Sequence, residues 1–274
     1  MRERPVGEEN PVEIAVAEGV ATMALNRPQV LNALNGEALD ALRAGLAALR
    51  GRTDVRALLL TGRGRAFCAG ADLGDPMMGM EAPREERGRR FAAEADGRLN
   101  ALMRDLYAFD RPKVAAVNGL AAGGGVGLAL VADIVVAARS AYFMQVFTPQ
   151  LGLVPDMGVS WHLPRLVGRA RALALTLLGE RLPAEQAAEW GLIWRCVDDD
   201  RLMEEATALA ARLAAGPPLA QAALTRLLDE SAANSFGDQL DRERDVQSRL
   251  VGSEDFAGAV EAFRDKRKPT FKGR

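Results

Sequence analysis

Apolar and polar positions along the chain fall into two regimes. Up to about residue 200, short apolar runs alternate with amphipathic stretches; beyond it only helical spacing remains. Val12 to Ala17 and Val20 to Leu25 alternate around Glu18-Gly19, which predicts two strands joined by a hairpin turn. Asn26-Arg27-Pro28 ends the second strand. Asn35 is a candidate N-cap for a helix reaching about Arg50, with Leu39, Leu42, Leu46 and Leu49 along one face. Val55 to Leu60 reads as a buried strand, closed by Thr61-Gly62-Arg63-Gly64.

The stretch from Lys113 to Ala137 organises the rest. Val114 to Val117 is continuously apolar, the pattern of a strand covered on both faces. Gly123-Gly124-Gly125 then frees the backbone, Val126 to Val131 carries a short apolar helix, and a second buried strand follows. Such a turn points unpaired N–H groups at whatever sits before the helix, which suits an anion or an oxygen that becomes one. Arg65 to Gly74 crowds small residues into another turn after a strand, so two turns of this kind could meet over one ligand atom.

Asp75 to Gly88 reads as loop, with Met77, Met78 and Met80 either lining an adaptable apolar pocket or filling gaps. Glu85 to Asp110 reads as a helix, charged at its start with both signs, which favours a solvated face over a nucleic-acid stripe. Ala141 to Gly158 forms a strand and a turn. Asp156 there precedes the apolar helical turn Val159 to Leu166, and is either an N-cap or a carboxylate held for chemistry. Helices are expected at Ala170 to Leu178 and Ala184 to Trp190, a strand at Leu192 to Val197, and amphipathic helices from Asp200 to Arg267. The chain thus divides into an α/β core, residues 1–200, and a helical region, residues 201–274, whose Leu-rich helices are candidates for subunit association.

Composition narrows the chemistry. A formal charge of −2 gives no basic footprint for nucleic acid. The polar amino terminus does not read as a signal peptide, and no apolar run reaches the roughly 18 residues of a membrane span, so a cytoplasmic protein is expected. Cys68 and Cys196 stand far apart and His162 is the only histidine, which excludes a zinc site; none of the expected chemistry calls for a metal. His162, between Trp161 and Leu163, reads as a packed histidine, and Gly158-Val-Ser160 is not a nucleophile elbow. Gly62-Arg63-Gly64 lacks the third glycine of a dinucleotide fingerprint, and there is no P-loop. Three of the four lysines crowd the last nine residues, where a frayed, solvated tail is expected over a docking surface for phosphates.

An ordered set of motifs resembles the crotonase, or enoyl-CoA hydratase/isomerase, family over nearly the whole chain. They are Leu25-Asn-Arg-Pro28, Leu31-Asn-Ala-Leu34, Ala66-Phe-Cys-Ala-Gly-Ala-Asp-Leu73, Pro112-Lys-Val-Ala-Ala-Val-Asn-Gly119 and Ala122-Gly-Gly-Gly125. Further on come Ala132-Asp-Ile134, Gly152-Leu-Val-Pro-Asp156, Leu163-Pro-Arg-Leu-Val-Gly168, Ala187-Ala-Glu-Trp-Gly-Leu192, and Phe263 with Lys266-Arg267. The resemblance implies a ClpP-like fold of repeated ββα units with a C-terminal trimerisation region, assembling as trimers or paired trimers. It implies acyl-CoA thioester substrates, with coenzyme A entering as part of the substrate and no separate cofactor.

By the same resemblance, the N–H groups of Ala71 and Gly124 hold the thioester oxygen. The segment Ala69-Gly70-Ala71-Asp72 would line the bend of the CoA moiety, Leu73, Gly123, Phe147 and Thr148 join the expected substrate-binding set, and Arg27 and Lys272 would meet phosphates. The hydratases of this family use two glutamates; their positions fall here on Gly127 and on Phe147 or Thr148. Neither is a carboxylate, which argues against water addition. Asp156 matches the single acid of the isomerase branch, closest to ring-1,2-epoxyphenylacetyl-CoA isomerases. The expectation is an acyl-CoA isomerase working through an enolate, with Asp156 as proton carrier. The rivals are a hydratase or other crotonase reaction, a non-catalytic acyl-CoA-binding protein, and an RNA binder weakly suggested by Arg84 to Arg104.

Overall fold

The computed structural model describes residues 10–274. The polar amino-terminal stretch weighed above as a signal peptide lies, apart from Asn10, outside the described residues. Strand β1 (Val12–Ala17) pairs antiparallel with β2 (Val20–Leu25), Ala17 opposite Val20. Glu18 and Gly19 both take positive φ, 50° and 80°, as a two-residue hairpin turn demands. Helix α1 (Gly36–Arg50) starts at Asn35, whose side chain accepts the Ala38 N–H, and buries the four expected leucines.

Three ββα units follow. The first is β3 (Ala57–Gly62), β4 (Ala66–Cys68) and α2 (Arg84–Glu94), which runs through a π-helical turn (Ala95–Asn100) into α3 (Ala101–Tyr107). The second is β5 (Lys113–Val117), β6 (Leu120–Ala122) and α4 (Gly124–Leu130); the third is β7 (Ile134–Ala138), β8 (Tyr142–Met144) and α5 (Val159–Leu178). Then come β9 (Leu182–Pro183), α6 (Ala184–Glu189), β10 (Arg195–Val197), α7 (Leu202–Ala214), α8 (Pro218–Ser231), α9 (Phe236–Val251) and α10 (Glu254–Arg264).

In each unit the first strand enters a six-stranded sheet, ordered β1-β2-β3-β5-β7-β10, and the second enters a four-stranded sheet, ordered β4-β6-β8-β9. Successive units pair in parallel in both sheets, and β3 and β5 are buried along their whole length, as their unbroken apolar runs require. The architecture is the ββα superhelix of the crotonase fold with a helical C-terminal region. Helix α7 lies on β2, β3, β5 and β7 and buries Leu202, Ala206, Ala210 and Ala214. Helices α8 and α9 bury no residue, and Leu224, Leu228, Leu240 and Phe263 face solvent.

Several expectations need correction. The strand expected from Leu192 is only Arg195–Val197, because the N–H groups of Leu192 and Ile193 turn to the Ala187 carbonyl. The two helices expected within 159–178 are one element broken at Gly168 (φ 75°, ψ 160°). The loop expected from Asp75 contains a 3-10 turn, Pro76–Met78, and α2 already begins at Arg84. The carboxyl-terminal tail is docked rather than frayed. Buried Asp255 accepts the Lys272 N–H at 2.6 Å and the Gly273 N–H at 2.9 Å, and donates its own N–H to the Arg274 carbonyl at 3.1 Å. Arg56 adds guanidinium bonds to the carbonyls of Phe271 and Gly216.

Candidate active site

Strands β4 and β6 are parallel neighbours, so the turns leaving their carboxyl ends lie side by side. The first turn carries Ala69, Gly70 and Ala71, the second Gly123 and Gly124, and all five line one cavity of about 110 Å³. A Cβ on Gly70 (φ 92°) would lie 2.9 Å from the Ala122 carbonyl oxygen and 3.4 Å from the Gly124 nitrogen, so the two turns touch through a residue that must be glycine.

Each turn leaves one N–H unused. Leu34 pairs with the first turn as a parallel bridge, donating its N–H to the Gly70 carbonyl (2.7 Å) and accepting the Asp72 N–H (2.9 Å). That pattern turns the N–H of the residue between them, Ala71, away from Leu34, and it makes no hydrogen bond among the described residues. Gly124 is the first residue of α4, and its N–H has no acceptor among the described residues. These are the two amides expected to hold a thioester oxygen.

Asp156 stands beside them. The residue capping α5 is Gly158, in left-handed conformation, with no side-chain cap. Asp156 contributes only its backbone carbonyl, which accepts the Val159 N–H at 3.0 Å. Its carboxyl therefore does not serve as the helix cap. Oδ1 is shielded from solvent without a hydrogen-bond partner and lies 3.4 Å from where a Cβ on Gly124 would begin. Burial pushes the carboxyl up to about 6, because the charged form loses its hydration.

The remaining wall is apolar. Leu99 comes from the π-helical turn after α2, and Phe147 and Leu151 from a second π-helical turn, Phe147–Leu151. Both wide turns border the cavity, a placement common at functional sites. Met78 joins the wall, whereas Met77 is buried in the core and Met80 is exposed, so the methionine cluster divides between the two uses weighed for it. Phe91, Val146 and Leu153 also line the cavity, though nothing in their local pattern marked them.

Of the hydratase glutamate positions, Gly127 has no space for any side chain: a Cβ there would overlap the Met157 carbonyl oxygen and touch its carbonyl carbon and Cβ at 3.0 Å. Phe147 places its ring 3.4 Å from a Cβ on Gly123. Thr148 stays outside the lining, its hydroxyl donating to the Leu153 carbonyl at 3.0 Å.

Arg27 is committed within the fold, donating to Asp72 Oδ2 at 3.0 Å and to the Ala33 carbonyl. Asp72 also accepts the Gly74 N–H, and Leu73 at the rim is exposed. Lys272 is held through its backbone at Asp255, with its side chain exposed and outside the cavity lining. His162 packs edge-on against Trp161 with centroids 4.8 Å apart, and burial lowers it to about 4. It is not a base for this site. Among the described residues no group of three metal-ligating side chains converges, and no helix is long and apolar enough to cross a membrane.

Comparison with known proteins agrees with this geometry. The pattern of the enoyl-CoA hydratase/isomerase family matches residues 15–274. The chain is 45% identical over 263 residues to 1,2-epoxyphenylacetyl-CoA isomerase of Escherichia coli K12, covering 94% of this chain and 97% of that one. It is 36% identical to 2,3-dehydroadipyl-CoA hydratase of the same strain, over 93% and 96% of the two chains. The solved structure of an enoyl-CoA hydratase from Polaromonas sp. JS666 superposes with a TM-score of 0.88 at 32% identity, covering 95% of this chain and 99% of that one. With the ββα superhelix and two free amides over one cavity, these matches make the chain a member of the enoyl-CoA hydratase/isomerase family, the crotonases.

Proposed function

We propose that this enzyme is an acyl-CoA isomerase that moves a proton along the acyl chain through a thioester enolate. The observation that carries the reading is that, among the described residues, Asp156 is the only ionisable side chain lining the cavity that also holds the free N–H groups of Ala71 and Gly124. The thioester oxygen sits on those two amides, preorganised donors each worth about 3–4 kcal/mol of barrier as negative charge develops. Ionised Asp156 takes a proton from one carbon, the electron pair passes to the thioester oxygen, and the now neutral carboxyl returns the proton at another carbon. An acid at about 6 suits both halves: it is mostly ionised at neutral pH and more basic than an ordinary carboxylate.

Water addition needs a second group to activate water, and the steric overlap at Gly127 argues against one there. The apolar wall suits an alkenoyl group or the ring of an epoxyphenylacetyl group, and the latter is supported by the name of the 45% identical relative. Such an activity would belong to phenylacetate breakdown. In this reading the turn Ala69 to Leu73 receives the bend of the CoA chain, with Arg27 bracing that turn through Asp72. Lys272 is the candidate for a CoA phosphate. No separate cofactor is required.

The deciding assay offers a 3-enoyl-CoA, a 2-enoyl-CoA and a ring-epoxyphenylacetyl-CoA in heavy water. The expected result is double-bond migration or ring isomerisation, with deuterium entering carbon and no 3-hydroxyacyl product. Hydration as the main reaction would overturn the reading, and binding without exchange would mark a non-catalytic acyl-CoA-binding protein.

The C-terminal helices complete the proposal. Leu224 and Leu228 on α8, Leu240 on α9, and Phe263 on α10 expose apolar area that an isolated chain in water would bury. The region 201–274 is read as the association unit of a trimer or a pair of trimers, in the cytoplasm. Light scattering on the full chain tests the assembly, and a monomer would reject it.

A further inference from the structure

Resting on the isomerase reading above, one residue outside the family's expected set gains a role. We propose that Met157 is a positioning residue for Asp156, wedged against the glycine face of α4 so that it sets where the carboxyl stands relative to the Gly124 amide. Three observations meet at Met157. It is buried at 3% exposure yet holds φ at 47°, a left-handed conformation uncommon for a non-glycine residue. Its sulfur lies 2.6 Å from where a Cβ on Gly124 would begin, so it fills the side-chain space of the oxyanion residue. Its carbonyl oxygen occupies the corresponding space at Gly127, one helical turn further along α4. Met157 therefore bears on the glycines at both ends of that turn, and Asp156 is its immediate neighbour.

The left-handed backbone and the two contacts act together. Without the Met157 side chain, only Asp156 Oδ1 borders the side-chain space at Gly124, and the turn 156–158 is free to relax towards an ordinary φ. The carboxyl would then shift against the bound acyl carbons, and a displacement of about 1 Å is enough to cost about a hundredfold in rate. The same packing shields Asp156. Among the described residues, those sharing the cavity with it bring no charge: Gly124 from α4, Phe147 and Gln150 from the second π-helical turn, and Phe91 from α2, whose charged side chains lie outside the lining. The next ionisable group along α5, His162, is kept neutral by burial at ordinary pH.

The experiment compares Met157→Ala, Met157→Leu and Gly127→Ala with wild type and Asp156→Asn. It measures thermal unfolding, CoA-ester binding, and α-proton exchange across pH. Met157→Ala is expected to lose about 10- to 100-fold in turnover with little change in binding, and its acidic limb should move to lower pH as water reaches the carboxyl. Met157→Leu, which keeps the volume, should recover most of the rate and the limb. Gly127→Ala pushes the Met157 carbonyl from the other side and should reproduce the loss. A folded Met157→Ala with wild-type turnover and limb, while Asp156→Asn is inactive, would overturn the positioning role alone. Should Met157→Ala not fold, wild-type turnover and limb in folded Gly127→Ala would overturn it equally. Undiminished exchange in Asp156→Asn would overturn the isomerase reading itself.

Discussion

Asp156 Oδ1 and the Gly124 backbone face each other so closely that a methyl group on Gly124 would stand 3.4 Å from the carboxylate oxygen and 2.6 Å from the Met157 sulfur. The amide proposed to receive the thioester oxygen and the carboxyl proposed to handle the proton thus share one small space. Gly124→Ala is expected to cut turnover by about a hundredfold or more, since one misplaced oxyanion donor costs that much. Overpacking should add about 1–3 kcal/mol of lost stability. Steady-state kinetics with CoA-ester titration checks this: a large fall in kcat with binding nearly retained is expected, and wild-type kcat would remove Gly124 from the site.

Activity should follow ionisation of Asp156. Burial raises its carboxyl to about 6, and only the ionised form accepts a proton, so the rate rises with pH through about 6 and levels above it. His162, lowered to about 4 and packed on Trp161, does not contribute a limb between pH 5 and 8. A proton-exchange profile that stays flat from pH 8 to pH 4.5 would contradict the assignment.

The same shift fixes a stability difference. A carboxyl whose folded value is raised holds more protons folded than unfolded between pH 4 and 6, so its contribution to stability declines as pH rises through that window. Above it the native state carries a poorly hydrated charge. Asp156→Asn should therefore be more stable than wild type at pH 7–8, by about 3 kcal/mol at most, and lose that advantage below pH 4. His162 titrates with the opposite sign in both proteins and cancels in the difference. Calorimetry at three pH values reads it directly.

Much of this arrangement was legible along the chain, and the failures have physical causes. The hairpin at Glu18-Gly19 and the Asn35 cap rest on local backbone chemistry, and both appear where expected. Strands β3 and β5 were visible because burial on both faces leaves unbroken apolar runs. Strands β4 and β6 were not, because each is only three residues long and runs straight into a turn of small residues. Asp156 was ambiguous since a cap and a buried acid have the same local sequence; only the left-handed Gly158, which takes the capping position, separates them. The partner of Arg27 is 45 residues away at Asp72, and the partner of the carboxyl-terminal tail is Asp255. Charge patterning carries no such pairings.

Gln145 presents a second buried anomaly. It is 3% exposed at the end of β8, and neither its amide oxygen nor its nitrogen has a hydrogen-bond partner. An unpaired buried amide costs about 1–3 kcal/mol, and methionine has nearly the same length and volume without that cost. Gln145→Met is expected to raise Tm by about 2–4 °C with unchanged kinetics. A lower Tm would show that the amide has a bound partner in solution.

The docked tail makes the last case. Asp255 is buried at 6% exposure on α10, and its two carboxylate oxygens receive the N–H groups of Lys272 and Gly273, charge-assisted bonds of the stronger kind. Removing the carboxylate leaves both amides without their acceptor; Arg56 on the Phe271 carbonyl and the Asp255 N–H on the Arg274 carbonyl remain, while the Arg274–Glu254 ion pair is solvent-exposed and worth little. Asp255→Ala should therefore release residues 268–274, with trypsin cutting after Arg267 and Lys272 many times faster than in wild type. Global stability should fall by about 1–3 kcal/mol. If Lys272 meets a CoA phosphate, the same variant binds CoA esters more weakly and loses part of the salt dependence of binding. Tryptic cleavage at the wild-type rate would show that the tail is held by contacts other than Asp255.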